Sequence, residues 1–171
     1  APAHDQLEKD GNSAEDLDVT PNFPPRRYLD GTEATHWLED GASSWEGGAQ
    51  LPADFSNYGQ TTVDLFAPGV AINSTMPEGT YEESDGTSMA APVVAGVAAL
   101  LLAYFPDLTP QDVRAILMDT ATNYADLMVT EPDVTGFGFA SQVPFGTLSV
   151  SGGLLNVAAA VEAAVAREEA R

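Results

Sequence analysis

The sequence predicts an α/β fold, in which helices pack on a largely parallel sheet. Two stretches carry this prediction. Val63–Ala67 is rich in β-branched and aromatic residues, which is typical of a short buried strand. The run from Ser88 to Tyr104 contains no charged residue, which predicts a helix that is apolar on every face and therefore buried.

The remaining strand signals are weaker. Residues 35–43 give a faint one that acidic residues interrupt, and Pro68-Gly69 ends the strand over Val63–Ala67 with turn chemistry. Val70–Thr75 alternates apolar and polar residues loosely and predicts a second strand. Residues 123–150 are rich in loop-forming residues, with strand-like fragments towards their end.

The long apolar helix is bounded by two prolines. Pro92 is tolerable only in a first turn, so we expect the helix to begin close to Ser88, and Pro106 prevents its continuation. Gly96 would permit a neighbouring element to approach closely. A membrane span needs about 20 apolar residues, so a buried helix is the favoured interpretation.

Two further helices have recognisable starts. Thr109-Pro110 supplies a capping hydroxyl and a proline at the first helical position, which predicts a helix to about Thr120. Asn156 can cap a final helix to about Arg167. In that helix Val157, Val161 and Val165 share one face.

The charge of the chain is extreme. Twenty-six acidic residues stand against six lysines and arginines, which gives a net charge of −20. Nucleic acid is excluded as a partner and anionic membranes are disfavoured, because both bind basic surfaces. Adaptation to high salt and simple solubility of an acidic secreted protein both remain open.

Length and composition predict one globular domain over residues 1–171, with residues 1–10 poorly ordered. The chain has no cysteine, so it offers neither disulfides nor thiolate metal ligands. Asp16-Leu17-Asp18 supplies too few oxygens for calcium. No signal-peptide pattern opens the sequence, which we interpret as an interior piece or a processed product.

A serine lies at the expected N-terminus of the long apolar helix. In Asp85–Pro92 a glycine and a threonine precede Ser88, and a helix that begins there directs backbone N–H groups at any negative charge formed nearby. A serine in this position is more often a helix N-cap than a nucleophile. The motifs around Ser88 change that balance. Those motifs are Gly11-Asn12, Phe55–Gly59, Val63–Val70, Ile72–Thr75, Gly86–Pro92, Leu108–Pro110 and Gly153–Asn156.

In their order these motifs resemble the subtilisin-like serine proteases (subtilases), whose nucleophile motif is written G-T-S-M-A-x-P. The resemblance implies a three-layer subtilisin-like fold with a central buried helix. It implies that Ser88 is the nucleophile and forms an acyl-enzyme, and that Asn12 and the N–H of Ser88 stabilise the oxyanion. Gly11 would line the substrate pocket. The family resemblance also implies polypeptide substrates, a secreted or cell-envelope location and no cofactor, although calcium is possible in the parent protein.

The sequence departs from the family at the other two triad residues. Subtilases take them from Asp-Ser/Thr-Gly and His-Gly-Thr contexts, and neither occurs here; His4 and His36 do not match. Lys9-Asp10 replaces two alanines that usually precede the asparagine. We therefore expect the C-terminal half of a serine endopeptidase domain, inactive without its N-terminal half. The alternative is a non-catalytic fragment that serves as a binding or structural module.

Overall fold

The computed structural model describes residues 40–44, 47–133 and 141–170. Eight strands and three α-helices are found in these ranges. The strands are β1 (Asp40–Ser43), β2 (Leu65–Pro68), β3 (Ile72–Met76), β4 (Thr80–Ser84), β5 (Thr122–Asn123), β6 (Met128–Thr130), β7 (Gln142–Pro144) and β8 (Gly153–Leu154). The helices are α1 (Thr87–Tyr104), α2 (Pro110–Asp119) and α3 (Val157–Glu169).

The largest sheet within the described ranges has the strand order β1-β2-β8-β5. Strands β1, β2 and β8 run parallel, and β5 is antiparallel to β8. Helix α1 packs against β1 and β2, and α2 and α3 pack beside it. The predicted α/β architecture, with helices on a mostly parallel sheet, is confirmed. The described end of the faint strand signal of residues 35–43 forms β1, whereas Trp37-Leu38, on which that signal rests, lies outside the described ranges. The signal of Val63–Ala67 corresponds to β2.

The two faces of the sheet bury different cores. On the helical face, Ala42 and Ala67 belong to a cluster with the buried residues of all three helices. On the opposite face, Phe66 packs on Phe145 with ring centroids 4.9 Å apart. The alternation from Phe66 to Ala67 follows from the two-residue period of a strand. Small residues on the helical face let α1 lie close to the sheet.

Helix α1 is buried along one stripe only. Ala90, Val94, Val97 and Leu101 face the core, whereas Leu100 and Leu102 are exposed and Tyr104 is 74% exposed. The expectation that every face is buried is therefore wrong for the described part of the chain. By length and composition alone α1 could cross a membrane, but this stripe packs into the core of the sheet.

The bounds of α1 agree with the prediction apart from Pro92. The helix begins at Thr87 and ends at Tyr104, just before Pro106. Pro92 lies in its second turn rather than its first, where it cannot donate the usual helical bond to the carbonyl of Ser88. The close approach expected at Gly96 is not found, because a Cβ atom there would meet nothing within 4 Å.

Both later helices begin where predicted. The Thr109 hydroxyl accepts a bond from the N–H of Asp112, whose carboxylate accepts the N–H of Thr109 in return, forming a capping box. Asn156 Oδ1 accepts a bond from the N–H of Ala159 at 3.0 Å and caps α3.

Of the three valines that share one face of α3, only Val161 packs against the core. Val157 and Val165 are exposed, and α3 buries Ala160 and Ala164 instead. Alanine lacks the bulk of valine, so this face can approach α1 and α2 closely. Hydrophobicity alone would place the valines of α3 in the core. The close packing of the helices instead places its small residues there.

Strands β3 and β4 form an antiparallel hairpin between β2 and α1. Its loop passes through Pro77–Gly79, where Glu78 and Gly79 have φ values of 66° and 75°. The strand predicted over Val70–Thr75 corresponds to β3. Strand β4 was not predicted, because Thr80–Ser84 carries two adjacent glutamates and no apolar alternation.

Two ion pairs tie α2 to its neighbours. Arg114 contacts Asp64, whose side chain is 9% exposed, and Arg167 contacts Asp112, whose side chain is 16% exposed. Because a buried carboxylate is costly without a positive partner, Arg114→Met should lower the free energy of unfolding by about 2 kcal/mol. Arg167→Met should lower it by less than about 1 kcal/mol. Urea denaturation of both variants tests this, and equal losses would contradict it.

The acidic surface should make stability rise with salt. Asp119 ends α2, and Glu168 and Glu169 end α3, where a carboxylate repels the negative end of the helix dipole. In the described ranges only Arg114 and Arg167 are basic, and both are paired. Salt screens the repulsion, so the melting temperature should rise between 0.1 M and 2 M NaCl.

Circular dichroism measures that rise in melting temperature. Glu168→Gln/Glu169→Gln is the control for general effects of salt on burial, and it should show a smaller rise. A melting temperature that stays constant or falls with salt would contradict adaptation to high salt. Solubility would then be the explanation of the acidic composition.

Candidate functional site

Ser88 is the second residue of α1 and is exposed. The N-cap of the helix is Gly86, and no side chain caps it. Ser88 is therefore not the N-cap of this helix, although that is the role a serine in such a sequence most often has. Its hydroxyl lies at the positive end of the helix dipole, on the surface of this chain.

Gly86 makes the turn that presents Ser88. Its φ of 155° and ψ of 157° lie in a region that residues with a Cβ atom rarely adopt. Its carbonyl accepts bonds from the N–H groups of Met89 at 3.0 Å and Ala90 at 3.3 Å. The chain thus passes from β4 into the helix across only two residues, Asp85 and Gly86, and Ser88 follows one residue after the helix begins.

The ends of the two parallel strands β1 and β2 hold this turn. The N–H of Gly86 donates to the carbonyl of Gly69 at 2.8 Å, and the N–H of Gly69 donates to the carbonyl of Ser43 at 3.1 Å. A Cβ atom on Gly69 would lie 2.6 Å from the Cβ of Ala42 and 2.8 Å from the carbonyl oxygen of Gly86. Ser88 therefore lies at the carboxyl edge of the sheet, where α/β folds place their sites.

A side chain also closes the base of the hairpin. Asp85 Oδ1 accepts the backbone N–H of Ala71 at 2.7 Å, next to the bond between Gly69 and Gly86. Sequence reasoning missed both Gly69 and Asp85 as site residues. Gly69 was assigned to a turn, and a contact across fourteen positions of chain leaves no local pattern.

The chain segment that leads to Ser88 is acidic. Glu82, Glu83 and Asp85 are all exposed and precede it on the hairpin. Among the described residues no group of three or more histidine, cysteine, aspartate or glutamate side chains could hold a metal ion. The expectation of no cofactor, with calcium possible in the parent protein, stays a prediction.

One phenol has a shifted pKa. Burial raises the pKa of Tyr58, and the carboxylates of Glu131 and Asp133 raise it further. Tyr58 packs against the Phe66 cluster on the face of the sheet opposite the helices. It therefore stays protonated at neutral pH and has no evident part in the chemistry of Ser88.

The other predicted site residues lie outside the described ranges. Gly11 and Asn12 are among them, as are Lys9-Asp10 and both histidines, His4 and His36. The assignment of Asn12 to the oxyanion and of Gly11 to the pocket wall therefore stays a prediction. Of the predicted residues, the structure places Ser88, Gly86 and Thr87 together at one turn.

Sequence relatives match somewhat less than half of this chain. Subtilisin DY of Bacillus licheniformis is 49% identical over 74 residues, which are 43% of this chain and 27% of that protein. Subtilisin of Bacillus pumilus is 53% identical over 74 residues, or 43% of this chain and 26% of that protein. The chain thus spans about a quarter of the length of the curated relatives that it matches.

A solved structure extends the likeness to the fold. The patellamide maturation protease PatA matches with a TM-score of 0.54 and 32% identity, over 75% of this chain and 43% of that one. The model of the Subtilase family matches residues 33–138, which is more than half of the sequence and includes the whole of the hairpin and α1. The chain belongs to the subtilase family.

Proposed function

We propose that this chain supplies the nucleophile of a serine endopeptidase. The Oγ of Ser88 attacks the carbonyl carbon of a peptide bond, and its proton passes to a base. The base then protonates the amine nitrogen as the C–N bond breaks, and the C-terminal peptide leaves. Water then hydrolyses the acyl-enzyme and restores the hydroxyl. The observation that carries this proposal is an exposed serine, held at the carboxyl edge of the sheet by Gly86 and Gly69, in a chain of the subtilase family.

The start of α1 suits the charge that this reaction develops. Attack by Ser88 places a negative charge on the former carbonyl oxygen, and the positive end of the helix dipole lies beside it. The backbone N–H of Ser88 and the side-chain amide of Asn12 would donate to that oxygen. Gly11 would form the adjoining wall of the pocket for the residue before the cleaved bond.

We further propose that the chain is inactive alone. A serine hydroxyl is a weak nucleophile without a base, and neither histidine of the sequence stands in the family's context. The match to PatA covers 43% of that protein, so the related fold is much longer. The exposed apolar side of α1, with Leu100 and Leu102, is the surface on which an N-terminal half carrying histidine and aspartate would pack.

A non-catalytic binding or structural module is the second candidate. Two observations favour it: the absent triad contexts, and Lys9-Asp10 in place of the alanines that usually precede the oxyanion asparagine. The coding sequence upstream of Ala1 distinguishes the two. In-frame Asp-Ser/Thr-Gly and His-Gly-Thr contexts support the endopeptidase, and a start codon at that point supports the module.

Location and substrate follow from the family. We propose a secreted or cell-envelope protein that acts on polypeptides, because the family consists of proteases and the curated relatives above are subtilisins. Partners that require a basic surface, such as nucleic acid and anionic membranes, do not fit a net charge of −20.

A further inference from the structure

A strained residue lies at the base of the hairpin. Ala71, just before β3, has a φ of 53°, in the left-handed region that residues with a Cβ atom adopt at a cost. Directly across the hairpin base is Asp85, the residue before Gly86. The backbone N–H of Ala71 donates to Asp85 Oδ1 at 2.7 Å.

That hydrogen bond is charge-assisted, but it is exposed to solvent, so its net contribution is modest. Its acceptor is a carboxylate, and bonds to charged groups are shorter and stronger than neutral ones. It lies beside the 2.8 Å bond from the N–H of Gly86 to the carbonyl of Gly69. Together the two bonds close the base of the hairpin, where the chain arrives from β2 and continues into α1.

We propose that Asp85 is a positioning residue for Ser88. Its carboxylate holds Ala71 in the left-handed conformation, which keeps the hairpin base closed and the N–H of Gly86 on Gly69. Because Gly86 leads directly into α1, this fixes the direction in which Ser88 leaves the turn. The effect on the hairpin base stands on the described contacts; the effect on reactivity rests on the proposed function of Ser88.

The first test measures amide hydrogen exchange by NMR in the 171-residue chain. Asp85→Ala should speed the exchange of the Ala71 and Gly86 amides about fivefold, the value of one modest hydrogen bond. Asp85→Asn retains an acceptor at the same place and should stay close to wild type. Glu82→Ala, which removes an exposed carboxylate from the adjoining strand β4, is the matched control and should change neither amide.

A second-site variant tests the strain directly. Glycine adopts the left-handed conformation freely, so Ala71→Gly should make the carboxylate less necessary. Asp85→Ala combined with Ala71→Gly should therefore restore most of the protection of Gly86. The proposal is overturned if Gly86 exchanges without protection in the wild-type chain, if Asp85→Ala leaves it unchanged, or if the double variant shows no recovery.

The second readout is reaction of Ser88 with a fluorophosphonate probe in the complete enzyme. Asp85→Ala should slow labelling about fivefold, and Asp85→Asn should label like wild type. If Asp85→Asn is as slow as Asp85→Ala, the acceptor role is contradicted. If wild-type Ser88 is not labelled at all, the proposed function fails, and the exchange of Gly86 still decides whether Asp85 closes the hairpin base.

Discussion

Gly69→Ala is expected to lower the free energy of unfolding by about 3 kcal/mol, the upper part of the range for overpacking a core. The added Cβ atom would lie 2.6 Å from the Cβ of Ala42 and 2.8 Å from the carbonyl oxygen of Gly86. Neither neighbour is the flexible end of a side chain. One belongs to β1 and the other to the turn before Ser88, so relief requires movement of the backbone.

The matched control for Gly69→Ala is Gly96→Ala. Gly96 is an exposed residue within α1, and a Cβ atom there meets nothing within 4 Å. Alanine is the better helix former, so this change should raise stability by about 0.5–1 kcal/mol. Urea denaturation of both variants gives the comparison. A Gly69→Ala variant within about 0.5 kcal/mol of wild type would show that the strand ends do not hold the turn tightly.

Ser88→Ala is expected to abolish peptide hydrolysis by the complete enzyme while leaving the fold intact. The loss in kcat should be on the order of 10⁶, a value established for the nucleophile of subtilisin itself and carried over here by family membership. The stability should change by less than about 0.5 kcal/mol, because the N-cap of α1 is Gly86 and Ser88 lies inside the helix.

Kinetics with a peptide substrate and urea denaturation measure the two effects separately. Ser74→Ala, at an exposed serine of β3, is the control and should alter neither. Substantial hydrolysis by Ser88→Ala would remove Ser88 as the nucleophile. A collapse of the fold would instead make Ser88 a structural residue.

Local signals in the sequence predicted the helices well. Thr109 and Asn156 cap α2 and α3 as expected, because caps are formed between residues close in sequence. Which side chains of each helix are buried was less predictable, because burial depends on the elements that pack against the helix. α1 is apolar all round yet buried along one stripe, and α3 buries Ala160 and Ala164 more fully than Val161, while Val157 and Val165 are exposed. Strand β4 was not predicted from the sequence because it is exposed on both faces and so has no apolar alternation.

The candidate site was predictable only in part. Ser88 and Gly86 belong to a contiguous motif, so the sequence alone could indicate them. Gly69 and Asp85 act through contacts with residues far away in the chain, and their roles emerge only when β1, β2 and the hairpin are placed together. Asn12 and Gly11 stay predictions from family resemblance.

We propose above all that Ser88 is a nucleophile in a chain that lacks the family's histidine and aspartate contexts. The most direct test is fluorophosphonate labelling of Ser88, followed by mass spectrometry, in two samples. One is the 171-residue chain alone; the other is the same chain preceded by a segment with the Asp-Ser/Thr-Gly and His-Gly-Thr contexts. We predict no labelling of the first and labelling at Ser88 in the second. Labelling of Ser88 in the isolated chain, or its absence in the longer protein, would contradict the claim.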